Sequence, residues 1–349
     1  MPLVYQQPAR SLGVGESDRA LVRALQRDLR SLGYLRSGID GDFGAGTAQA
    51  VRSLTWDLLH NKGASTGNDG PAPVAIADYN RGRVAAVVAV IDERVAACIA
   101  DLLADPRVPK LPSSADPAAA NREALAAIRA MVGHKAPPPF IAAMIRQESS
   151  AMHFRVPGGN DHDDFVVVGL DRNVAGNQDI VTSRGYGVGQ YTLFHHPPRP
   201  EEVEDFIVDP VRNVAHAFGE LRLKFDKWIA GPIDRADDRS REHPLLKEPR
   251  LCRYAPADPR YMRDCRACAA AARKVDIERG TPAYEGASIR YDVTQYYRSA
   301  TYGGVPDRSD FLCDWPYAAR RYNGGGINSF HYQTRILLNL LSEPPASWS

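Results

Sequence analysis

The chain has 349 residues, of which 44% are hydrophobic, enough to build the cores of two domains. Its 43 basic and 42 acidic residues leave a net charge of +1, so no global field draws it to nucleic acid or to an anionic membrane. Met1–Arg30 carries no apolar run long enough for a signal-peptide core, and no stretch is apolar enough to span a bilayer. Any export is therefore expected to depend on another protein.

Residues 1–17 show little periodicity and read as an N-terminal tail. From there Leu21, Leu25, Leu29 and Leu32 recur at helical spacing, Gly33 supplies the C-terminal cap, and Asp40-Gly41-Asp42-Phe43-Gly44 forms a turn. A second helix starts near Thr47, with Ala50, Val51, Leu54 and Leu58 on one side. The glycines permit the tight turn, Phe43 fills the small core, and Asp40 and Thr47 are expected to cap backbone amides. A helical unit over 18–60 is too small to be secure alone and calls for a third helix or a neighbour. The run from Leu25-Gln26 through Gly33-Tyr34 to Asp40 and on to Val51 resembles the peptidoglycan-binding domain of many bacterial cell-wall hydrolases. That resemblance implies Asp40, Gly41, Phe43, Gly44 and Thr47 as motif residues, with binding left to the polar rim of a groove.

Residues 61–75 are rich in Gly, Asn, Ser and Pro and read as a linker. Val84–Leu103 has a helical period and reads as a spacer helix, so that 61–118 forms a linker and spacer. Asn121–Val132 is a further helix, opening a domain over 119–349.

Pro137-Pro138-Pro139 stiffens the entry to the next helix, where Phe140, Ile141, Met144 and Ile145 form an apolar stripe that Glu148 continues at i+4. Desolvation on such a face should raise the pKa of Glu148 and keep its proton near neutrality, as a general acid requires. Ser183 to Tyr191 contains three glycines in five residues and cannot form a regular helix; it makes a permissive loop in which Gln190 offers a donor and an acceptor. Asp209-Pro210 is an N-cap and first-turn pair opening an amphipathic helix, and Tyr322-Asn323-Gly324 ends another. Tyr322 is a candidate hydrogen-bond donor to Glu148.

In chain order, Gln147-Glu148-Ser149, Gly187-Val188-Gly189-Gln190, Asp209-Pro210 with Asn213, and Tyr322-Asn323-Gly324 resemble the lytic transglycosylases and the related goose-type lysozymes. The resemblance runs patchily over about 137–341. It implies a mainly α fold: a small three-helix wall-binding domain and a lysozyme-like α-helical catalytic domain with minor β structure. It further implies Glu148 as catalytic acid/base and Ser183, Gln190, Tyr191, Tyr322 and Asn323 as substrate-binding residues. The implied activity is cleavage of the β-1,4 bond between N-acetylmuramic acid and N-acetylglucosamine. Ser183 stands where goose-type lysozymes carry an acid, which favours a single-carboxylate transglycosylase over a hydrolase; Asp179 and Asp164 are the candidates for a second acid.

Cys252, Cys265, Cys268 and Cys313 fit two disulfides, free thiols or half of a zinc site, while His195-His196 reads as a surface turn without a third ligand. No cofactor and no metal are expected. The modular order resembles phage endolysins, made in the bacterial cytoplasm and acting in the periplasm on the wall, with peptidoglycan as partner and a holin for release. An injected antibacterial effector with an immunity protein fits the same order. The chain is expected to be a monomer without membrane insertion. A non-catalytic wall-binding or virion structural protein, and a chitinase, are the competing functions.

Overall fold

The computed structural model describes residues 3–8, 10–130, 138–225 and 315–323, together with residues 329, 332, 333, 335, 336 and 339. The four cysteines from Cys252 to Cys313 lie outside them. In chain order the elements are α1 (Arg19–Ser31), α2 (Ala45–His60), a 3₁₀ turn (Ile76–Tyr79), α3 (Glu93–Ala104), α4 (Pro117–Ala130) and α5 (Pro138–Ser149). Strands β1 (Val168–Asp171), β2 (Ser183–Tyr186) and β3 (Tyr191–Leu193) follow. Then come the short α6 (Pro200–Glu202), a π-turn (Val203–Ile207), α7 (Pro210–Phe225) and α8 (Trp315–Tyr322). The fold is mainly helical with minor β structure. No described helix is long and apolar enough to cross a membrane.

The chain divides into two compact units, one comprising Met1–Leu125 and Met152–Val214, the other Ala126–Ala151 and Ala215–Ser349. The first helices start where aspartates supply caps: Asp18 accepts from Leu21 N at 3.2 Å, Asp92 from Val95 N at 2.9 Å and Asp116 from Ala119 N at 2.9 Å. Asp209 does the same for α7, accepting from Val211 N at 2.8 Å and Arg212 N at 3.1 Å. At the end of α1, Gly33 takes φ +76°, and Tyr34 N bonds Leu29 O at 2.8 Å, closing the helix as glycine allows.

In the first unit the apolar faces of α1 and α2 meet in a core that includes Leu25, Leu29, Phe43, Val51 and Leu54, all fully buried. This core is not closed by residues 18–60 alone. The N-terminal segment, read as a tail, is packed in: Tyr5 is buried and its hydroxyl donates to Asp28 at 2.6 Å, while Leu12 pairs with Ile91 through two 2.9 Å backbone bonds. Residues 61–75, read as a linker, are equally held, with Thr66 N donating to Phe194 O at 2.8 Å and Asp69 accepting from Phe194 N at 2.6 Å. The spacer helix starts at Glu93 and not at Val84. Val88 instead exchanges hydrogen bonds with the Thr55 hydroxyl at 3.1 and 3.2 Å, and Asn80 caps Val84; in this non-helical stretch Val84 and Ile91 are buried, Val87 and Val88 partly buried and Val90 exposed. Helical spacing is present there, but the Thr55 hydroxyl takes up the backbone groups of Val88 and the Leu12 backbone those of Ile91.

The three strands form an antiparallel meander in the order β1-β2-β3, with Val168 opposite Tyr186 and Tyr186 opposite Tyr191. Polar side chains join this sheet to the N-terminal helices. Arg184 of β2 donates from Nε to Gly33 O at 3.0 Å and lies 3.5 Å from Asp57, which accepts the Tyr34 hydroxyl at 2.7 Å. His195-His196, read as a surface turn, is buried here. His196 packs edge-on against Tyr34 with ring centroids 5.0 Å apart, and His195 sits between Asp69 at 3.1 Å and Glu202 at 2.9 Å. Both are core connections that local sequence does not announce.

Arg30 is completely buried. Its guanidinium donates to Asp163, to Leu35 O and to Ser37 O, and Arg155 Nε reaches the same Asp163 at 2.7 Å. Burial pulls the Arg30 pKa down to about 10, with Asp163 opposing that shift. Removing one partner of a buried pair leaves an uncompensated charge, so Asp163→Ala should cost about 3–5 kcal/mol of stability. Chemical denaturation of the variant would read this directly; a loss below about 1 kcal/mol, the level of an exposed pair, would contradict it.

Candidate functional site

Glu148 belongs to α5 in the second unit. Phe140, Ile141, Met144 and Ile145 are buried as their spacing requires, and Glu148, one turn beyond Met144, is partly buried. The helix ends in two successive non-glycine residues of positive φ, Ser150 at +56° and Ala151 at +61°, with Ser150 N bonded to Arg146 O at 3.0 Å and Ala151 N to Ile145 O at 3.1 Å. Left-handed backbone at residues with a Cβ costs of the order of 1 kcal/mol each and is retained where the surroundings over-determine it.

The phenol that reaches Glu148 is Tyr332, whose hydroxyl donates to Glu148 Oε1. From the sequence, Tyr322 is the candidate for this bond. Tyr322 ends α8 with its ring centroid 6.3 Å from that of Tyr332, and Asn323 is exposed in the turn that follows. Burial, reinforced by the Glu148 charge, pushes the Tyr332 pKa well above its ordinary value, so it stays a neutral donor. Arg335 Nε to Gln147 at 3.4 Å and Asn339 Nδ2 to Ala143 O at 3.1 Å attach the same C-terminal segment to α5.

The glycine-rich loop belongs to the first unit and is the β2–β3 hairpin turn. Gly187 has φ +68°, and a Cβ there would sit 2.7 Å from His153 Nδ1 and 2.9 Å from Asn213 Nδ2, so glycine is required on both counts. Asn213, fully buried at the start of α7, accepts from Gly189 N at 2.7 Å and donates to Tyr186 O at 2.8 Å. His153 Nδ1 accepts from Val188 N at 3.2 Å, which places the proton on Nε2, 2.9 Å from Ile207 O. Asn121 accepts from His153 N and Phe154 N, both at 2.9 Å, completing the clamp.

Gln190 Nε2 donates to Gly187 O at 2.7 Å, and its Oε1 lies where side chains at Gly169 and Gly185 would fall, so its amide braces the hairpin. Ser183 is buried with its hydroxyl on Asp171 at 2.8 Å, and Tyr191 packs against Phe206 at 4.8 Å between centroids. The two candidate second acids are paired with arginines of the N-terminal helices. Asp179 accepts from Arg52 Nε at 2.7 Å and Gln49 at 3.0 Å, and Asp164 lies 3.2 Å from Arg27. The Arg52 hydrogen bond holds the Asp179 carboxyl below the usual range. Both therefore tie 152–214 to α1 and α2.

At the N-terminal motif the hub is Gln26. Its Nε2 donates to Asp40 Oδ1 at 2.9 Å, Asp42 O at 3.0 Å and Thr47 Oγ1 at 3.1 Å, while its Oε1 accepts from Gly41 N at 2.8 Å. Asp40 caps the turn through Asp42 N at 2.9 Å, as expected of it. Thr47 donates to Asp42 O at 3.2 Å and caps no helix; the α2 N-cap is Gly44. Phe43 is fully buried. These motif residues shape the turn. Among the described residues no group of three or more His, Cys, Asp or Glu is arranged to hold a metal ion.

Residues 18–54 match the family model of a putative peptidoglycan binding domain. The match supports a peptidoglycan-binding domain at the N-terminus, and with it association with the cell wall. Comparison with curated proteins and with solved structures gives no match.

Burial lowers the His153 pKa from 6.5 to about 4. Between these values the unfolded chain takes up a proton that the folded hairpin clamp excludes, so this contribution is intact above pH 6.5 and lost as pH falls toward 4, by roughly 3 kcal/mol at most. His196 shifts in the same direction, so denaturation alone sums the two. NMR titration separates them: the His153 imidazole should remain neutral at pH 5.5, and a midpoint near 6.5 would contradict the clamp.

Proposed function

We propose that the protein attaches to the bacterial cell wall and cleaves its glycan strands at the β-1,4 bond between N-acetylmuramic acid and N-acetylglucosamine, as a lytic transglycosylase with Glu148 as acid and then base. The observation that carries this reading is the buried Tyr332 hydroxyl donating to Glu148. A neutral phenol orients the carboxyl without adding formal charge. Protonated Glu148 delivers its proton to the glycosidic oxygen as the bond to C1 breaks. The Tyr332 hydrogen bond stabilises the carboxylate left behind, which then accepts the proton of the C6 hydroxyl as that oxygen closes on C1 to give the 1,6-anhydro product.

Hydrolysis with inversion would need a second carboxylate to activate water. Asp179 and Asp164 are engaged by Arg52 and Arg27, which favours the single-carboxylate route. The peptidoglycan-binding domain supports a role at the wall, and bacterial lysis as a phage endolysin, with a holin for release, is the setting we assign to it.

Glu148→Gln should lower the rate of clearing of purified sacculi by at least about 10²-fold while sedimentation with sacculi is retained. Equal clearing by wild type and variant would leave a non-catalytic wall-binding protein. Mass spectrometry of the digest should show anhydro-muramic ends; reducing ends would identify a hydrolase of the goose-lysozyme type.

A further inference from the structure

We propose that a groove in the first unit binds the carboxylate-bearing peptide stems of peptidoglycan, a proposal that rests on the wall-binding reading above. The groove has a volume of about 510 Å³. Tyr34, Arg36 and Ser37, which follow α1, and Gln49 of α2 come from the matched domain; Arg172 and Gln178 come from the connection between β1 and β2. The site is thus composite, and no small wall-binding domain on its own would contain it.

Its charge is what selects the ligand. Two guanidinium groups line one groove, and neither Arg36 nor Arg172 has a carboxylate partner among the described residues. Arg172 spends its described hydrogen bonds on neutral oxygens, the Ser53 hydroxyl at 2.7 Å and Gln178 O. The neighbouring carboxylates are already used: Asp179 by Arg52 and Gln49, Asp57 by Tyr34 and Arg184. Partial burial, followed by the like charge of Arg184 and then that of Arg36, disfavours the Arg172 cation, with the Asp179 and Asp57 charges opposing in part, so an added carboxylate at the groove would favour the charged form. Gly46, in the first turn of α2, also lines the groove, and the N-cap Gly44 provides no side-chain bond there, which leaves the positive end of the helix facing the same space.

Guanidinium forks match carboxylates in geometry as well as charge. A neutral amino-sugar chain offers no such group, whereas a peptide stem ends in one. Gly46 keeps the floor open: a Cβ there would lie 2.6 Å from Ser37 Oγ.

Calorimetric titration of the full-length protein with a soluble disaccharide-tetrapeptide tests the proposal, with the same muropeptide amidated at its carboxylates and a neutral N-acetylglucosamine dimer as comparison ligands. The tetrapeptide should bind more tightly than either, and Arg36→Glu should weaken it by about tenfold, the loss of one charge-assisted contact. Arg172→Gln should act in the same direction. Arg36 is exposed and gives up no described side-chain hydrogen bond, so its variant remains informative if Arg172→Gln disturbs the hairpin. Unchanged affinity in Arg36→Glu, equal binding of the amidated ligand, or tighter binding of a phosphate-bearing wall polymer through these arginines would overturn it. Sedimentation with sacculi separates the two levels: arginine variants that bind muropeptide and sacculi like wild type sink the groove alone, whereas a wild type that leaves sacculi unbound sinks the wall-binding reading itself.

Discussion

The first unit depends on one buried ion cluster, Arg30 with Asp163 and Arg155. A guanidinium with no exposure to water has to find acceptors in protein, and Arg30 finds them in Leu35 O, Ser37 O and the Asp163 carboxylate. Those carbonyls belong to the chain just after α1, so the cluster shapes the segment that carries Tyr34 and Arg36. It also anchors the segment after Met152 to the N-terminal helices. Apolar packing alone would bring these pieces together; the ion cluster specifies their register.

The same logic extends through the sheet. Arg184 reaches Gly33 O and Asp57, Arg52 holds Asp179, and Arg27 holds Asp164, so helices that match a free-standing binding domain are covered on one side by a later part of the chain. Covering them consumes most of the nearby carboxylates. Arg36 and Arg172, with no ion-pair partner among the described residues, line one groove, and the carboxylate preference proposed for it rests on them. The two candidate second acids, Asp179 and Asp164, are explained by this packing.

Much of the local architecture was legible. The aspartate expected before α7 is its cap at Asp209, Gly33 is the helix stop, and the apolar spacing of α1, α2 and α5 gives their buried faces. These features depend on neighbours within one or two turns. The misreadings share the opposite property. Residues 1–17 and 61–75 look like tail and linker because their composition is polar or irregular, yet Tyr5, Leu12, Thr66 and Asp69 are held by partners between 23 and 128 residues away.

Sequence alone determined the stop of α1 at Gly33 and the start of α7 at Asp209-Pro210, the mainly helical class, the N-terminal binding motif and the placement of Glu148 at the end of an apolar helix. Tertiary structure decided which side chains these features meet: Tyr332 at Glu148, Gln190 folded onto its own hairpin, His195 and His196 in the core, and Arg36 and Arg172 on one groove. The reason is physical. Capping and periodicity act over a few residues and are written in local order, whereas hydrogen-bond and charge partners are chosen by burial, which depends on segments more than a hundred residues apart.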